Sequence, residues 1–135
     1  MRRLLSIAAL CVVLSGCGGA SNHAADVRAV RATLTEMVSA IAAHDYATLC
    51  NHVFSPTLLA PAVQLGITCE AALKKGLGTV SFPTLRVLSV KINGTSALAT
   101  VDTGAANESP VHTIVRLQRI GGHWYVSSLA TPATG

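Results

Sequence analysis

Residues 85–103, LRVLSVKINGTSALATVDT, are where the pattern of this chain changes from helical to alternating. Leu88, Val90 and Ile92 share one side of an extended segment, and Asn93-Gly94 is a type I′ hairpin signal. The chain then returns with Ala97, Ala99 and Val101 on one face and Leu98, Thr100 and Asp102 on the other. Alternation on both arms of a tight turn predicts an antiparallel hairpin with one buried face. After a polar loop over 104–110, a third strand over 111–120 sets Val111, Thr113, Val115 and Leu117 against His112, Ile114, Arg116 and Gln118. Gly121-Gly122 makes the second hairpin turn, and His123–Leu129 closes the run with Trp124 and Val126 facing opposite to Tyr125.

Such a meander needs cover on one face, and the residues before it supply helices. Val27, Val30, Leu34, Met37, Val38 and Ile41 recur at three and four residues and fall within an arc of ~100°, the width of a core-facing stripe. Arg28, Thr35, Glu36 and Ser39 lie off that arc. Asp45 is an N-cap for a short second helix carrying Leu49 and Cys50, and Ser55-Pro56 starts a third that Pro61 closes. Thr68 caps a fourth from Cys69 to Lys75, with Glu70 in its first turn and Gly76 at its exit; 78–83 is a loop. Helices first and hairpin-connected strands second predict an α+β fold, N-terminal helices packed on one side of a curved antiparallel sheet.

The amino terminus is of another kind. Met1-Arg2-Arg3 is basic, and the apolar run from Leu4 to Leu14 fits a secretory signal but falls short of the ~20 residues that span a bilayer. It ends in Leu14-Ser15-Gly16-Cys17, which resembles the lipobox of bacterial lipoproteins at all four positions. That resemblance implies cleavage before Cys17 and a diacylglycerol thioether on its sulfur, anchoring the chain at the outer, extracytoplasmic face of the cell membrane. Residues 1–16 are then the signal peptide, 17–25 a lipidated tether, 26–129 the folded domain and 130–135 a tail. Cys11 follows a bulky leucine and reads as part of the apolar run, lost on processing.

Without its signal the chain has eight Lys/Arg against six Asp/Glu, too mild a balance for a nucleic-acid partner, and no aromatic residues are interleaved with the cations as base-stacking platforms. With Cys17 acylated and Cys11 removed, Cys50 and Cys69 remain in an oxidising compartment, where a disulfide follows. The rival is a metal site of Cys50, His52 and Cys69 with His44, which lacks the paired C-x2-C spacing of structural zinc. No metal or other cofactor is expected.

The long first helix, the Asp45-Tyr46 turn and the closing Gly121-Gly122-His123-Trp124-Tyr125-Val126 hairpin together resemble the nuclear transport factor 2-like superfamily. Within it, the chain looks most like bacterial lipoproteins that place one cysteine after the first helix and another before the sheet. The resemblance implies a cone-shaped domain, often dimeric through its sheet, whose enzyme members place acids and bases inside the cone. Tyr46, Asp102, His112 and Tyr125 are the cavity candidates here, but no spacing pairs them as acid and base. The expected function is therefore a non-catalytic module that binds a small apolar ligand or an envelope protein. The alternatives are an isomerase- or cyclase-type enzyme using the cone and a structural envelope homodimer. Palmitate labelling of the expressed protein should vanish in Cys17→Ala; undiminished labelling would refute the anchor.

Overall fold

Helix α1 (Gly19–Ala42) lies across one face of a four-stranded antiparallel sheet made of β1 (Thr84–Asn93), β2 (Ser96–Gly104), β3 (Val111–Ile120) and β4 (His123–Leu129), in that spatial order. Between them come α2 (Tyr46–Thr48), a π-helical turn (Leu49–Val53), α3 (Pro56–Gln64) and α4 (Cys69–Leu77). This computed structural model describes residues 19–129; Cys17, the signal segment and the tail lie outside them. The α+β class and the one-sided helical cover are as the alternation predicts, and the sheet is open rather than closed.

The core is where the two periodicities meet. Val30, Leu34 and Met37 of α1 are buried against Ala97, Ala99 and Val101 of β2, Val115 and Leu117 of β3, and Trp124 and Val126 of β4. Leu49, Val53 and Phe54 close the β4 side. The main chain there runs parallel to β4: Phe54 bridges Val126, and the Ser55 N–H donates to the Val126 carbonyl at 2.9 Å. Part of an edge that would otherwise offer unpaired groups is thereby covered.

A polar clamp fixes α1 on the sheet. Asp26 accepts from Arg119 Nη1 at 3.0 and 3.2 Å and from the Trp124 indole N–H at 3.2 Å. About two turns on, buried Thr33 donates its hydroxyl to the Trp124 carbonyl at 3.0 Å. Among the described residues, no buried side-chain nitrogen or oxygen lacks a partner.

Several local expectations change. The segment read as a tether is helical from Gly19, consistent with the strong helix propensity of Ala20, Ala24 and Ala25. Pro61 does not end α3, which continues to Gln64. The carbonyl that Pro61 leaves without a donor belongs to exposed Thr57, where water can serve. Gly76 lies inside α4 and Gly78 closes it: the Gly78 N–H bonds the Lys74 carbonyl, and a Cβ at Gly78 would run into that carbonyl.

In β1 the pairing register shifts between Val87 and Ser89, so Leu88 bulges outward, 39 % exposed, instead of joining Val90 and Ile92. The bulge lets Leu85 and Val87 share the core face with Val90 and Ile92 although the two pairs are out of phase in a strict period of two. The first hairpin differs too. Asn93 pairs with Ser96, so the loop is Gly94-Thr95 and only Gly94 has positive φ, 60°, as in a type II′ turn. At the second hairpin Gly121 and Gly122 have φ of 57° and 81°, the type I′ form.

Asp26→Ala should lower unfolding stability by about 2 kcal/mol, since it leaves a half-buried guanidinium and a buried indole N–H unpaired. Urea titration followed by the fluorescence of the single tryptophan measures this directly.

Candidate functional site

α3 is the unusual element. Its sequence, Pro-Thr-Leu-Leu-Ala-Pro-Ala-Val-Gln, is almost wholly apolar, yet none of its residues is buried. Ser55 fixes where it starts: its buried hydroxyl accepts from the Leu58 N–H at 3.2 Å, Pro56 occupies the first turn, and the Ser55 backbone is held on β4. From that start the helix runs beside β4, with Leu58 and Leu59 partly packed on the core, and flanks an open groove of about 610 Å³ between itself and the β3–β4 hairpin.

Leu59 and Val63, one turn apart, line the groove from α3 together with Pro56, Ala60 and Gln64. Phe54 joins them, Ile120 and Tyr125 come from the hairpin, and Cys50 and Asn51 come from the π turn. Val63 is 65 % exposed, and past the helix in sequence Leu65 and Ile67 are 76 % and 43 % exposed. Exposed large apolar side chains are thus concentrated in and just after α3.

The walls are held by two cross-links. Cys50 and Cys69 are joined in a disulfide, tying the π turn to the start of α4. That bond consumes both sulfurs of the rival metal site, while His44 Nδ1 is hydrogen-bonded to the Tyr46 hydroxyl at 3.0 Å. Among the described residues, no group of three or more His, Cys, Asp or Glu side chains is arranged to hold a metal. The π turn closes by a Phe54 N–H bond to the Leu49 carbonyl at 2.8 Å, five residues back. His123 Nε2 donates to the His52 carbonyl at 2.8 Å, and its ring packs edge-on against Tyr125, which steadies the groove's rim.

The four polar residues proposed for a cone interior are dispersed. Tyr46 sits beside Lys74 and Gly78 on a different surface hollow, and Tyr125 lines the groove. Asp102 and His112 lie on the sheet face away from the helices, because they alternate with buried Val101 and with Thr113 and Val115 of the core side. There they are direct cross-strand neighbours of each other, and Arg86 is the neighbour of Asp102 on β1.

Asp102 accepts from His112 Nδ1 at 2.9 Å and from Arg86 Nη2 at 3.0 Å, with the His112 and Arg86 side chains 63 % and 77 % exposed. These two bonds, that of His112 first, hold the Asp102 carboxyl below the usual carboxylate range. Asp45 is held down similarly, chiefly by the Thr48 backbone N–H that it caps and then by the Thr48 hydroxyl. Both are structural carboxylates. The rest of the open face carries Lys91, Leu98 and Arg116 in one cross-strand row.

No family model matches this chain, and no curated protein or solved structure is significantly similar to it.

The residues that build the groove were readable as apolar but not as a site. Leu58-Leu59 and Val63 look like an ordinary core helix, but Leu58 and Leu59 are only partly covered by the core and Val63 is left exposed. The signal was present in the lack of any polar face on α3 and in the apolar Leu65 and Ile67 beyond it.

Since its folded-state pKa is depressed, Asp102 contributes stability above its ordinary pKa and loses that contribution as pH falls through the folded value. The melting temperature of Asp102→Asn should therefore lie below wild type near neutrality and converge with it below about pH 4. Asp45 keeps the variant itself acid-sensitive.

Proposed function

We propose that this protein is a lipid-anchored binding module on the outer face of a bacterial cell membrane, and that its α3 groove takes a small apolar ligand. The observation that carries the reading is α3 itself, a nine-residue apolar helix with no buried side chain, standing over a groove of about 610 Å³. A volume of that order suits a small ligand, and mostly apolar walls with a few polar groups at the edge are the usual composition of such sites. Asn51, Gln64 and the Tyr125 hydroxyl are the polar side-chain groups here.

The anchor rests on Leu14-Ser15-Gly16-Cys17, and the disulfide is in keeping with an oxidising compartment. Membership of the nuclear transport factor 2-like superfamily is supported by the order of a long helix, short helices and a four-stranded meander. A non-catalytic role fits the separation of Tyr46, Tyr125 and the Asp102–His112 pair.

One observation favours a second role for the open sheet face. Arg86, Lys91 and Arg116 outnumber Asp102 there, so an acidic envelope protein suits it better than a second copy, which would bring like charges together.

Titration with the neutral fluorophore N-phenyl-1-naphthylamine tests the groove. Enhanced emission should saturate with wild type, weaken about ten-fold with Val63→Glu, which sets an unpaired charge in the groove, and persist with Leu98→Glu on the open face. Equal responses from both variants would remove the groove as the site.

A further inference from the structure

The groove and the start of α1 lie at the same end of the sheet. Both hairpin turns, Gly94-Thr95 and Gly121-Gly122, are at that end, linked by the Arg119 N–H bond to the Thr95 carbonyl. Asp26 of α1 is clamped there to Arg119 and Trp124 on the helix-covered face. The next residues along the strands, Ile120 and Tyr125, line the groove. From Asp26 the helix runs back to Gly19, a further ~10 Å at 1.5 Å per residue. Gly19, the first described residue, thus lies toward the end at which Ile120 and Tyr125 flank the groove, and Cys17 precedes it by two residues in sequence.

We infer that the groove receives one acyl chain of a bilayer lipid, so that the domain is seated on the membrane by its covalent anchor and by this second contact. The inference rests on the anchor and the groove proposed above and names the ligand class. The two acyl chains of the diacylglycerol on Cys17 hold the groove at high effective concentration of lipid without any further membrane-binding element. The lining is hydrocarbon along Leu59, Val63 and Ile120.

The lining also selects between sources of an acyl chain. None of its side chains is a cation. The nearest guanidinium in sequence, Arg119, is committed to Asp26 on the opposite face. A free fatty acid would bring a carboxylate with no charge to meet it, whereas an esterified chain brings carbonyls that the uncharged donors Asn51, Gln64 and Tyr125 suit.

The test uses full-length protein purified from membranes and reconstituted into phosphatidylcholine vesicles containing a trace of phosphatidylcholine with a diazirine at the end of one acyl chain. After illumination, adducts should map to residues 54–64 and 120–125. They should fall about ten-fold in Val63→Glu while its melting temperature holds, and stay unchanged in Leu98→Glu. Labelling by the matching diazirine fatty acid at the same concentration should be weaker. Adducts confined to the chain before Gly19, adducts equally strong in Val63→Glu, or stronger labelling by the free acid would each overturn the proposal. Saturable binding of N-phenyl-1-naphthylamine without lipid adducts in the groove would remove the lipid and leave the groove as a site for another ligand. Loss of both would remove the two together.

Discussion

Trp124 is the side chain on which the arrangement of helix and sheet depends. It is 1 % exposed, its indole N–H is bound by Asp26, its carbonyl is bound by Thr33, and the Arg119 guanidinium lies 5.5 Å from its ring centre. Apolar burial alone would let a valine- and leucine-faced helix slide or rotate on a smooth sheet, since it is not directional. Directed bonds from Asp26 and Thr33, about two turns apart on α1, to one residue of β4 remove that freedom. They also determine which end of the sheet the start of the helix faces.

With α1 occupying the covered face, the remaining helices have little core left to cover. The π turn delivers Leu49 and Val53 into it, and Phe54-Ser55 then lies along the β4 edge. α3 and α4 have no buried residues, and their leucines are only partly covered. The Cys50–Cys69 disulfide therefore does what packing does elsewhere: by closing a nineteen-residue separation it limits the unfolded states of just this weakly packed segment. A groove persists beside α3 because its walls are held by a covalent bond and a backbone bridge rather than by apolar contacts that would close it.

The opposite sheet face is governed by register. Arg86, Asp102 and His112 meet because the three strands align them as direct neighbours, and Lys91, Leu98 and Arg116 align two rows away. Cross-strand pairing of opposite charges accounts for the first row without invoking chemistry. The acid and base candidates that a closed cone would have gathered stay apart: Asp102 and His112 pair on the open face, Tyr125 lies on that face near the β3–β4 turn, and Tyr46 lies in a separate hollow.

Much of this was decided locally and could be read from the chain. Alternation over 85–129 gave four strands and their buried faces, because side chains on a strand alternate with a period of two whatever they pack against. Ser55, Thr68 and Asp45 marked helix starts, because a cap is a bond between near neighbours. The lipobox resemblance and the cysteine count anticipated the pairing of Cys50 with Cys69. Leu88 misled because a bulge shifts the phase of a strand, and Pro61 because its cost depends on whether water reaches one carbonyl. What only the tertiary structure decided is which apolar surfaces find a partner. Leu34 and Leu59 are equivalent residues on amphipathic or apolar helices, yet one is fully buried in the core and the other lines an open groove, because the clamp at Asp26 had already given the single covered face to α1.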